Sequence, residues 1–120
     1  MRYLVLLAAP FLVAAAGDMS VATFLQKADA LKAKGPLALM SSDLGLLKRE
    51  GQGAATVYTA RQKAAVARGD KSLGCPPKGT RYDQNMFIAD MRAIPAPQRS
   101  RTTLTQALTR GMARRFPCKA

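Results

Sequence analysis

Two cysteines, Cys75 and Cys118, bracket most of the C-terminal half of this 120-residue chain, and the opening residues decide how they are read. Residues 1–16 carry the three parts of a secretory signal peptide. Arg2 supplies the positive start, Leu4–Val13 form a short apolar run, and Ala14-Ala15-Ala16 is a small-residue cleavage site. A helix that spans a bilayer needs about 20 apolar residues, and this run stops earlier, at Gly17-Asp18. No later stretch reaches that length. The mature chain, 17–120, is therefore expected to be periplasmic, with no transmembrane segment and no cysteine near the cut to carry a lipid anchor.

In an oxidising compartment, two cysteines in a small domain are most simply a disulfide. Closing so long a loop is worth ~4 kcal/mol in the chain-entropy account. That is a large share of the roughly 5–15 kcal/mol that holds a small domain together. Two free thiols, or a bond between chains, are the alternatives at this level. A redox role lacks the C-x-x-C spacing of thiol oxidoreductases.

Gly and Pro divide the mature chain into helical lengths. Ser20 is a good N-cap, and Val21, Phe24, Leu25, Ala28 and Leu31 follow at i, i+3, i+4 spacing until Gly35-Pro36. A short apolar turn, Leu37–Met40, leads to a second start at Ser41-Ser42-Asp43. Leu44, Leu47, Gly51, Ala55, Tyr58, Gln62, Ala65 and Val66 then make one long stripe, ending at Gly69-Asp70. Gly51 and Gly53 each cost ~1 kcal/mol in a helix interior, which points to a kink or a close crossing there. Residues 70–82 read as a loop, punctuated by Gly74, Pro76, Pro77 and Gly79. Asp83 caps a third helix with Met86, Phe87 and Met91, and a last helix begins near Thr102-Thr103 and presents Leu104, Ala107, Leu108, Gly111 and Met112. The five mature methionines, Met19, Met40, Met86, Met91 and Met112, read as core filling. No β-alternating run and no internal repeat interrupt this pattern. The expected fold is all-α, a small bundle of four or so helices closed by one disulfide.

Composition bears on chemistry. The chain has no His, which removes Ser-His-Asp and Cys-His catalysis and the commonest zinc ligand. Seven carboxylates are scattered along it against 19 Lys and Arg, for a net charge of +12. The expectation is a protein that is not an enzyme and holds no metal or cofactor. Nucleic acid is the usual partner of so basic a chain, but an exported protein rarely meets it. The cations that follow the last acid, Asp90, read as a solvated face, a docking face for an acidic partner, or a surface for anionic membrane.

Four stretches carry a resemblance: Ser20–Pro36 with its Phe24-Leu25 and Ala28-Asp29-Ala30-Leu31, Cys75-Pro76-Pro77, Arg92 to Pro95, and Arg114-Arg115-Phe116-Pro117-Cys118. From about Met19 to Cys118 the chain resembles the type VI secretion amidase-immunity (Tai-like) family. The resemblance implies a small, helical, periplasmic protein, often a homodimer, that binds a peptidoglycan amidase effector and blocks its active-site cleft. It also implies that the family's cysteine pair falls on Cys75 and Cys118.

An inhibitor of a cleft needs a rigid protrusion, because ordering a floppy loop subtracts from affinity. Residues 71–82 suit that need, with Pro76-Pro77 stiffening the backbone and Cys75 anchoring it. Lys71, Lys78, Arg81 and Tyr82 are the expected contacts, with Arg110 and Arg114 as a charged rim. The alternative is a cationic envelope protein that binds anionic lipid or cell-wall polymer. In either case, protein recovered from the periplasm should begin near Gly17 and contain no titratable thiol. Thiol labelling that finds two free cysteines would refute the disulfide.

Overall fold

A computed structural model describes residues 16–119. The expected signal peptide therefore lies outside the described residues, apart from Ala16. Four helices carry the fold: α1 (Val21–Lys34), α2 (Ser42–Ala67), α3 (Gln84–Arg92) and α4 (Leu104–Arg115). Two 3₁₀ turns, Gly35–Met40 and Ala96–Arg101, make the α1–α2 and α3–α4 corners. Among the described residues there is no strand; one antiparallel bridge joins Ser20 to Thr103.

Each helix starts where a side chain satisfies an orphan backbone donor. The Ser20 hydroxyl accepts from Thr23 N–H, Ser41 from Asp43, and the Asp83 carboxylate from Met86. At α4, Thr103 and Gln106 form a reciprocal capping box. Gly35, at φ +57°, ends α1 in a backbone conformation that side-chain-bearing residues rarely adopt.

One core runs through the bundle. Val21, Phe24, Leu25 and Leu31 of α1 meet Leu47, Ala54 and Tyr58 of α2, Phe87 and Met91 of α3, and Leu104, Ala107, Leu108 and Met112 of α4. Val21, Met91 and Leu104 are its most deeply buried large side chains. Two expectations along α2 shift. The stripe buries Ala54 rather than Ala55, and Val66 is half exposed. Alpha-helix α2 continues through both glycines: Gly51 faces open space, whereas Gly53 lies against Ala16. The close approach there is to the N-terminal segment rather than to another helix. Met40 also departs from the expected core. With Leu37 and Leu39 it stands on the first 3₁₀ turn, 87% exposed.

Candidate functional site

Cys75 and Cys118 are bonded, with Cα atoms 4.8 Å apart across 43 positions of sequence. The bond is one of several ties that hold the root of the 70–82 loop. Tyr58 of α2 donates its hydroxyl to the Leu73 carbonyl at 2.8 Å, and the Gln62 amide donates to Gly74 at 3.3 Å. Cys75 N–H donates to the Phe116 carbonyl just past α4, at 2.7 Å. Gly74 is required here on two counts. Its φ is +84°, and a Cβ would sit 2.9 Å from Ala113 Cα on α4.

The far end of the loop is held by different chemistry. Tyr82, half-buried, donates its hydroxyl to Asp90 of α3 at 2.5 Å. Asp90 is 4% exposed and sits between Phe87 and Met91 on the buried side of α3. Arg114 donates to its Oδ1 at 2.6 Å, and Arg115 donates from Nε and Nη2 to both oxygens at 2.9–3.2 Å. The Arg115 guanidinium also lies 5.9 Å from the centre of the Tyr82 ring, within cation–π range. Room for the carboxylate comes from Gly111, where a Cβ would sit 2.8 Å from Asp90 Cγ.

Burial alone would raise the Asp90 pKa. The hydrogen bonds from Arg115, Tyr82 and Arg114 outweigh it and hold the carboxyl below the usual carboxylate range. For Tyr82, burial and then the bond to Asp90 push the phenol well above its ordinary value, so it stays a neutral donor.

Between these two clamps lies a short tip, Pro76 to Arg81. It turns where Thr80 N–H and Oγ1 both donate to the Pro77 carbonyl, with Gly79 at φ +82°. Pro77, Lys78, Gly79 and Arg81 are exposed. One end of the tip is thus fastened just past α4 by a covalent bond, and the other to α3 by the Tyr82–Asp90 hydrogen bond, with Asp90 in turn ion-paired to Arg114 and Arg115 of α4.

The six expected contact residues fall into distinct settings. Lys78 and Arg81 stand on the tip, facing solvent. Lys71 lies before the root and reaches the Lys119 carbonyl at 3.2 Å. Tyr82 has its hydroxyl committed to Asp90. Arg114 is tied to Asp90 by one nitrogen and keeps 60% of its side chain exposed. Arg110 is exposed on the same helix. Asp90 is not among these six, and Arg115, which belongs to the run of cations after it, is spent on the buried acid rather than on an open face. The available signal was an acid inside the apolar stripe of α3, which must be paired if it is buried.

An apolar groove of about 890 Å³ borders the loop. Phe24 and Leu31 of α1, Leu44 and Leu47 of α2, and Phe87 and Ile88 of α3 line it, and Tyr82 and Asp83 stand at one edge. No protein-family model, curated protein or solved structure matches the chain. Among the described residues no helix is long and apolar enough to cross a membrane, and no three His, Cys, Asp or Glu side chains gather as a metal site.

Since its pKa is depressed in the folded state, Asp90 adds stability that is fully present above the unfolded value of about 3.9. That contribution is lost as pH falls through the lower folded value. Asp90→Asn should therefore lower unfolding free energy at pH 7 by about 1.5–3 kcal/mol, the worth of a hydrogen bond to a charged group. The gap to wild type should close in denaturant titrations run below pH 4. A gap that persists unchanged at pH 2 would mean that packing, not charge, makes the difference.

Proposed function

We propose that this chain is a periplasmic immunity protein that binds a type VI secretion peptidoglycan amidase and blocks its active-site cleft. The observation that carries the reading is the doubly clamped tip, an exposed cationic turn of six residues fastened at one end by the Cys75–Cys118 bond and at the other to Asp90 of α3. A protrusion already held in shape loses little conformational freedom on entering a cleft. Lys78 and Arg81 supply charge at its end, and the neighbouring groove offers apolar area beside it. Inhibition of this kind works by occlusion and asks no chemistry of the inhibitor. The type of partner comes from the family resemblance of the sequence.

Arg110 and the exposed part of Arg114 add positive field next to the tip, which would speed encounter with an acidic rim more than it tightens the complex. One observation favours the second reading, a cationic envelope protein. Leu37, Leu39 and Met40 project at 68%, 79% and 87% exposure, directly after Lys32 and Lys34 of α1. Such a pairing of apolar and basic residues suits an anionic lipid surface.

The test is binding to purified type VI secretion peptidoglycan amidases, beginning with any that the surrounding genes encode. Lys78→Ala with Arg81→Ala should weaken affinity by at least ~2 kcal/mol, about 30-fold, while Tyr82 is left in place to preserve the clamp. Arg110→Ala should slow association at low salt and leave dissociation unchanged. Full affinity in the tip variant would remove the loop from the interface. Failure to bind the amidase, with salt-sensitive binding to anionic vesicles, would favour the envelope reading.

A further inference from the structure

Gly17 is buried in a socket that only glycine fits. Its φ is +100°, and a Cβ would lie 2.7 Å from Thr105 Oγ1 and 2.8 Å from the Ala54 nitrogen. Its carbonyl accepts from Thr105 of α4 twice, from N–H at 3.1 Å and from Oγ1 at 3.2 Å. Its N–H donates to Glu50 Oε2 of α2 at 2.7 Å, and Met19 N–H reaches the same oxygen at 3.3 Å. One residue thus joins α2 to α4, and its nitrogen points at a half-buried carboxylate. In a chain of net charge +12, Asp29, Asp43, Asp70 and Asp90 each take a Lys or Arg within 4 Å. Among the described residues, Glu50 is held instead by these two backbone donors.

Gly17 is also the residue that follows the small-residue cleavage site. We infer that Glu50 is a receptor for the α-ammonium group created when an export peptidase cuts between Ala16 and Gly17. The inference rests on the export reading. In the cut, water adds across the Ala16–Gly17 peptide bond. The carboxylate leaves with residues 1–16, and the Gly17 nitrogen takes up protons to become an ammonium, the prevailing form of an α-amine near neutral pH. A neutral amide donor facing Glu50 becomes a cation facing it at the same position, and charge-assisted hydrogen bonds are the stronger kind. Ala16, which presses on Gly53, departs at the same step and opens that side of the nitrogen to water. Processing would then do more than release the chain. It would add charge to the α2–α4 contact in the exported form, whereas the precursor makes that contact with a neutral amide.

The experiment has two arms. In the first, protein recovered from the periplasm is sequenced from its N-terminus. A start at Gly17 is expected, and any other start overturns the processing half of the inference. The second arm uses chain released from a cleavable fusion so that it begins at Gly17, compared with the same chain acetylated at its α-amine. Acetylation keeps an N–H donor and removes the charge. Acetylation should lower Tm by about 4–8 °C, the shift that one strengthened interaction gives a domain of this size. In a Glu50→Gln background it should change Tm by less than half as much. Equal shifts in both backgrounds, or none in wild type, would show that Glu50 does not recognise the ammonium. The wild-type comparison stands even if the Gln variant folds poorly. The second arm is independent of where the cell makes its cut.

Discussion

The buried carboxylate of Asp90 organises the part of the molecule that carries the loop tip. It takes hydrogen bonds from Tyr82, Arg114 and Arg115, drawing the end of the loop and the end of α4 onto α3. Two adjacent arginines would repel each other, and a lone buried carboxylate would be costly. Together they satisfy each other, and Gly111 leaves the space in which they meet. Removing the acid would leave Tyr82 without its acceptor and the arginines without a centre. The disulfide could then hold only the other end of the loop.

This division of labour suits a protein that recognises by shape. A covalent tie at Cys75 is indifferent to pH in the folding range, whereas the tie at Tyr82 depends on an ionised acid. Lys78 and Arg81 of the tip can face a partner because they are not spent on holding the fold, unlike Arg115 and part of Arg114. The strong positive charge of the chain is therefore not one uniform coat. Some cations stabilise the fold, and others remain available for encounter.

Much of the fold was legible in the sequence because its signals are local. Ser20, Ser41, Asp83 and Thr103 cap the four helices, and Gly35 with Pro36 ends the first. The stripe of α4 is buried as expected at Leu104, Ala107, Leu108, Gly111 and Met112, and Thr105, which holds Gly17, joins it. The errors came where a long-range contact decides. Gly53, expected at a kink or a close helix crossing, makes a close approach to Ala16 of the N-terminal segment. Met40 looked like core and stands in solvent, since the 3₁₀ turn that carries it swings off the end of α1. The Asp90 network joins residues from 82 to 115, a span over which spacing says nothing about contact. Tyr82 therefore read as a surface anchor, although its hydroxyl is committed inside.

A tip clamped at both ends must be rigid in the free protein, and amide order parameters measured by NMR test this directly. The amides of Lys78, Gly79 and Arg81 should give S² close to the about 0.85 of ordered backbone in wild type and fall below about 0.6 in Asp90→Ala, which leaves Tyr82 no acceptor, with the disulfide intact. A wild-type tip already below 0.6, or one that keeps its order in the variant, would contradict the double clamp.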